Sequence, residues 1–286
     1  MPDRVATRLA QNLEQLSKGR AKVRVHGEAA FGDEREHLSL LRKGTLDLAV
    51  TGDLVVTSLS PAYLVVNMPF LYRDAAHALA AYSSGLGLAM RKDLRTMGVH
   101  ALSWHHVGMR TLTANKPITD LNSLQGLKLR LPPDAAWMAV WRALGATPIA
   151  VPFNGLHTAL KLGRVEAQDN PPNFTRSGRL YEHQTHLMTT QHMPQRQFVF
   201  AASKLWRQWS NHTQHWVAEA AREASEWAVD TAAAEEQKDL NWLQTEGHMK
   251  RVVFDRQGVD RLLAPVAKVL GGEAGVRVFE RIRGLV

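Results

Sequence analysis

Three polar residues stand where an α/β protein presents chemistry. Arg130 lies in Gly126-Leu-Lys-Leu-Arg-Leu-Pro132, alternating with Lys128 toward the end of a predicted strand that Pro132 terminates. Arg110 lies in Val107-Gly-Met-Arg-Thr111, between two predicted strands, and Asn170 in Gln168-Asp-Asn-Pro-Pro172, after a strand-like stretch at 165–168. Open α/β sheets bind ligands beyond the carboxyl ends of their strands. A guanidinium is a planar fork that matches a carboxylate through two parallel hydrogen bonds, which a lysine does not copy. Away from water such a pair contributes ~1.5–3 kcal/mol. Spacing alone leaves a second reading open for each of these residues, an ordinary surface or salt-bridging position.

Other chemistry has weaker support. His183, His186 and His192 cluster in sequence beside Glu182, which gives an alternative function, a metal- or histidine-dependent hydrolase. The HxxH spacing lacks the helical HExxH frame of zinc hydrolases. His105 and His106 are adjacent on a predicted strand and face opposite sides. The chain has no cysteine, so thiolate nucleophiles, thiolate metal sites and disulfides are excluded. It lacks a G-x-S-x-G elbow, and Gly85-Leu-Gly-Leu88 is not a dinucleotide fingerprint because the third glycine is missing. No catalytic residue, metal or cofactor is therefore expected. The net charge of +8 fits nucleic acid, an anionic surface or acidic ligands. The basic residues are mixed with acids in no run of five or more, so a nucleic-acid partner is not expected. The longest apolar stretches, such as 63–70, fall far short of the ~20 residues that span a bilayer, so direct membrane insertion is not expected either.

The elements that must position these residues follow an α/β rhythm. A length of 286 residues corresponds to roughly two domains, and the 45% hydrophobic and 22% charged shares are those of an ordinary globular chain. Val5, Leu9, Leu13 and Leu16 mark a helix that ends near Gly19, and Val23 and Val25 alternate as a short strand. Leu38 and Leu41 mark a second helix closed by Gly44, and residues 46–50 alternate as a strand running into Thr51. Residues 75–97 read as a helix interrupted at Gly85 and Gly87. Strands are predicted at 99–104, 112–114 and 127–131, helices at 120–124, 135–144 and 155–162, and a long Ala- and Glu-rich helix with Trp216, Ala220, Ala224, Trp227 and Ala228 on one stripe. The tryptophans at 206, 209, 216, 227 and 242 read as packing residues rather than a base-stacking platform.

Longer stretches carry a resemblance. Val151-Pro-Phe-Asn-Gly-Leu-His-Thr-Ala-Leu-Lys-Leu-Gly-Arg-Val-Glu-Ala-Gln-Asp-Asn-Pro171 resembles the signature of the solute-binding subunits of TRAP (tripartite ATP-independent periplasmic) transporters, the DctP-like family. Gly108-Met-Arg110, Asn115-Lys-Pro-Ile118 and Leu124–Pro132 resemble the preceding motif. Phe31-Gly-Asp-Glu-Arg35, Leu41–Asp47 and Met68-Pro-Phe-Leu-Tyr72 are similar to the family's first lobe.

The resemblance implies a two-lobed periplasmic-binding-protein-like fold, each lobe a mixed, mostly parallel sheet flanked by helices, with the long helix bridging the lobes. Lobe I would comprise 1–107 and 196–235, and lobe II 108–195 and 236–286, closing about crossings near Val107 and Gln195. The implied function is non-enzymatic: an extracytoplasmic subunit that binds a small organic acid and delivers it to the membrane permease subunits. By resemblance Arg130 pairs with the ligand carboxylate, Arg110 is a second cationic contact, Asn170 a polar contact and Phe153 an aromatic over the ligand. First-lobe contacts would come from loops around Arg35, Thr51 and Phe70. The acid stays open among C4-dicarboxylates, keto acids, sugar acids and aromatic acids. The sequence departs from the family at Gly155-Leu-His157, where members often have Glu-x-Tyr. Members are periplasmic and normally begin with a signal peptide and a first strand. Neither is legible near Met1, so the strands at 23–25 and 46–50 are expected to lack a neighbour between them.

Overall fold

A computed structural model describes residues 2–27, 30–52, 54–57 and 60–285. Along the chain the elements are α1 (Pro2–Leu16), α2 (Glu34–Lys43), β1 (Leu48–Thr51), α3 (Leu54–Thr57), α4 (Pro61–Leu64), α5 (Ala75–Ser83), α6 (Gly85–Thr96), β2 (Val99–Met109), β3 (Thr111–Ala114), β4 (Lys128–Leu131), α7 (Ala135–Ala143), β5 (Thr147–Ala150), α8 (Phe153–Lys161), β6 (Ala167–Asn170), α9 (Pro172–Ser177), β7 (His186–Met188), β8 (Pro194–Ala202), α10 (Ser203–Trp206), α11 (Asn211–Thr245), β9 (Lys250–Val252) and α12 (Val259–Arg283). They divide into two compact units, 1–59 with 82–107 and 196–233, and 60–81 with 108–195 and 234–286. The chain passes between the units five times: ahead of α4, within α5, within β2, near the start of β8 and within α11.

In the first unit β8 is the central strand of a three-stranded sheet, flanked by β1 and β2. β1 runs antiparallel to it, with Val50 opposite Val199. The apolar stripe of α1, Val5, Leu9 and Leu13, packs with Val199 and with Val217, Ala220, Ala221, Ala224 and Ala228 of α11. The small side chains on α11 let the helices approach closely. Asp33 caps α2 by accepting from the backbone N–H groups of Arg35 and Glu36, while the Glu36 side chain accepts from the Asp33 N–H, so both members of a capping box are in place. α5 and α6 meet at Ser84, where a Cβ on Gly87 would lie 1.8 Å from the Tyr82 carbonyl oxygen. The predicted interruption is thus a close backbone approach that only glycine allows. The strand expected at Val23–Val25 is not formed, since residues 21–27 lie outside helix and strand. Val23 still packs half-buried on the α1–α11 core. Alternation reports one buried face, whereas a strand requires a ladder partner, and the ladder partner of β1 is β8.

The second unit is built on a six-stranded mixed sheet, ordered β5-β4-β6-β3-β7-β9. β4 lies parallel to both β5 and β6, β3 antiparallel to β6 and β7, and β9 parallel to β7. Helix α12 packs on α4 and α7. Residues 60–81, expected in the first lobe, belong here. Phe70 is fully buried in edge or tilted contact with Trp141, His192 and Phe254, and Asn67 donates to Asp134, the N-cap of α7, at 2.7 Å. An aromatic cluster and a buried hydrogen bond thus bind this segment to residues far along the chain.

Candidate functional site

Arg130 is the third residue of β4, which is hydrogen-bonded on both sides, so its side chain rises from the middle of the sheet opposite Ile149 and Gln168. The residue is 1% exposed. Its Nε donates to the Val151 carbonyl at 2.7 Å. Among the described residues its terminal nitrogens have no protein acceptor and no carboxylate lies within ion-pair distance. Burial pushes its pKa down to about 10; the charge of Asp169 opposes this fall and that of Arg110 adds to it. A buried guanidinium in this condition favours any anion that reaches it.

Arg110 lies between β2 and β3, where Gly108 takes a φ of 116° and the Arg110 N–H donates to the Met193 carbonyl at 2.8 Å. All three of its guanidinium nitrogens donate to protein acceptors. Nε donates to Asp169 Oδ2 at 3.0 Å, and Nη2 to Asp169 Oδ1 at 3.1 Å. Nη2 also reaches Asn170 Oδ1 at 3.4 Å, and Nη1 donates to Gln195 Oε1. The guanidinium carbon lies 4.3 Å from the centre of the Trp137 ring. Asp169 is fully buried and also accepts from His192 Nε2 at 3.0 Å. Burial alone would raise its pKa, but the Arg110 charge and the hydrogen bonds from His192 and Arg110 hold the carboxyl well below the usual range. His192 is itself kept neutral by burial, against the pull of Asp169. With Nε2–H given to Asp169, its Nδ1 accepts from Thr190 Oγ1 at 2.8 Å.

Asn170 ends β6, all four residues of which are buried. Its Nδ2 donates to Gln168 Oε1 at 2.6 Å, and its carbonyl accepts from Thr111 Oγ1 at 2.9 Å. Arg110, Asp169 and Asn170 are therefore in direct contact, with Arg130 close enough to feel both charges. Phe153 begins α8, 46% exposed, with its ring edge-on to Phe174 at 5.8 Å. In the first unit Thr51 is buried, its Oγ1 3.1 Å from His37 Nδ1, and Arg35 is exposed in the first turn of α2. Phe70, expected among the first-lobe contacts, belongs to the second unit, where its ring is fully buried with the Arg256 guanidinium over it. The trio His183, His186 and His192 is not gathered either. His192 is committed to Asp169 and His186 is carried by β7, whereas His183 meets His157 and Glu182. Asp169, Trp137 and Gln195 were missed as site residues. Their one sequence signal is a charged residue inside a strand whose neighbours are all uncharged.

Two α/β units between which the chain passes five times, one of them holding a buried arginine with free terminal donors, define the class of two-unit solute-binding proteins. Residues 3–259 match the bacterial extracellular solute-binding protein family 7, and the chain belongs to that family, the solute-binding proteins of TRAP transporters. The 2,3-diketo-L-gulonate-binding periplasmic protein of Escherichia coli K12 is 27% identical over 236 residues, which cover 82% of this chain and 72% of that protein. A TRAP periplasmic solute-binding protein from Bordetella bronchiseptica, whose ligand density is assigned to pantoate, superposes with a TM-score of 0.91 at 26% identity, covering 99% of this chain and 94% of the other. One from Polaromonas sp. JS666, bound to D-erythronate, gives 0.90 at 26% identity, covering 99% and 93%. These proteins are binding components of transport and not enzymes, which sets the hydrolase alternative aside. No helix among the described residues is long and apolar enough to cross a membrane.

Proposed function

We propose that this protein binds a small hydroxylated carboxylic acid, of the sugar-acid kind, in the periplasm and delivers it to the permease subunits of a TRAP transporter. The observation that carries the reading is Arg130, a guanidinium 1% exposed whose terminal nitrogens have no acceptor among the described residues. A carboxylate supplies the missing acceptors and the missing charge together. Arg110 acts one step removed: tied up by Asp169 and Gln195, it fixes the end of β6 and so the Asn170 amide, which meets a ligand hydroxyl or carboxylate oxygen. Phe153 supplies an aromatic face. The pantoate assigned in the Bordetella protein and the D-erythronate of the Polaromonas protein support a carboxylate on a hydroxylated chain, and the net charge of +8 draws anions inward.

Calorimetric titration with D-erythronate, L-galactonate, D-glucuronate and pantoate, each beside its neutral alcohol or sugar counterpart, tests this. At least one acid is expected to bind with a Kd of ~10 μM or tighter, as buried charge-assisted recognition allows, while its neutral counterpart does not bind. Equal binding of acid and counterpart, or no binding of any acid, contradicts the reading.

A further inference from the structure

A second polar cluster in the second unit has no part in the network around Arg130. Leu156, Ala159 and Leu160 of α8 are buried with Val165 and Leu180 in one apolar cluster, which clamps α8 to the single-turn 3-10 helix Leu180–His183. The clamp brings His157 against Glu182 and His183. His157 Nε2 lies 3.6 Å from Glu182 Oε2, and the two imidazole rings meet edge-on with centroids 4.6 Å apart. One ligating atom from each of the three residues lies within 4.8 Å of the other two.

Two further observations single the cluster out. His183 Nε2 is buried and has no hydrogen-bond partner, and a buried polar atom left so requires an explanation. Glu182 has its Oε1 held by Arg179 Nε at 2.7 Å. Oε2 is thereby left facing His157.

We propose that His157, Glu182 and His183 form a binding site for a zinc-class divalent cation, with water completing the coordination. Two imidazole nitrogens and one carboxylate oxygen suit Zn2+, whereas Ca2+ and Mg2+ demand oxygen ligands. Metal–ligand bonds of ~2.0–2.2 Å put tetrahedral donors roughly 3.3 Å apart. The His157–Glu182 contact, at 3.6 Å, is already near that value. A bound ion would staple α8 to the 3-10 turn and give His183 Nε2 its partner. The site is independent of carboxylate binding at Arg130.

The test is Zn2+ titration of the tag-free full chain against a chromophoric chelator, with parallel melting curves. One Zn2+ per chain is expected, with affinity reduced at least ~10-fold in His157→Ala, His183→Gln and Glu182→Gln, as for lost metal ligands. His212→Ala and His186→Ala should bind as the parent does, and Ca2+ should not compete. A parent that binds Zn2+ no tighter than ~0.1 mM, far weaker than a built three-ligand site, overturns the proposal. So does undiminished binding in all three ligand variants. Should His183→Gln melt early without metal, the solvent-accessible His157→Ala decides.

Discussion

At the residue scale, two buried arginines of one unit hold opposite positions. Arg110 has a bidentate carboxylate partner, and Arg130 has a single backbone acceptor. Strand-end position made both candidates and resemblance gave them roles, but neither could tell the arginine paired with a carboxylate from the open one, because the partner of Arg110 lies 59 residues away. Asp169 decides the matter, and its effect is measurable. Asp169→Asn should destabilise the protein by ~3–5 kcal/mol at pH 7, since it leaves Arg110 charged and buried without a counter-ion. The folded pKa of Asp169 lies below its unfolded value. The parent therefore keeps this stabilisation above ~pH 4 and loses it as pH falls further, where the unfolded chain binds the proton first. Urea unfolding at pH 7 and at pH 3.5 checks both points: the gap between parent and variant should narrow at the lower pH. A gap independent of pH would contradict the assignment of an ionised Asp169.

At the scale of elements, the helices with clean apolar spacing were legible. α1, α2, α7 and α11 lie within a few residues of where their periodicity placed them, because an amphipathic stripe and a cap are local properties. The failure at Val23–Val25 has the converse cause: a ladder depends on a partner that local alternation does not report. Residues 60–81 show the same limit, since their attachment to the second unit rests on contacts such as that of Asn67 with Asp134. Asp134 also accepts from the Trp137 N–H at 3.0 Å as the cap of α7, and Trp137 is the ring stacked on Arg110. Asp134→Ala should lower stability by ~1–3 kcal/mol, from a lost cap and a lost hydrogen bond to the buried Asn67 amide. Asp134→Asn, which can still cap, should recover part of that loss in thermal melts. Equal loss in both variants would locate the effect in the carboxylate's charge.

At the scale of the molecule, chain length and the alternation of helical and strand periodicities were enough to expect an α/β protein of roughly two domains, and long motifs were needed for the family. The exact division was less legible, because the chain passes between the units five times and no linker composition marks the passages. In the proposed reading the net charge of +8 and the buried open guanidinium of β4 are two levels of one preference for anions. That preference is tested most directly by calorimetric titration of the tightest-binding acid into the parent and into Arg130→Ala and Arg130→Lys, with melting curves confirming that all three are folded. The account predicts a loss of ~1.5–3 kcal/mol, roughly 10- to 150-fold in Kd, in both variants, because a lysine restores the charge but not the fork. A folded Arg130→Ala protein that binds the acid as tightly as the parent would contradict it.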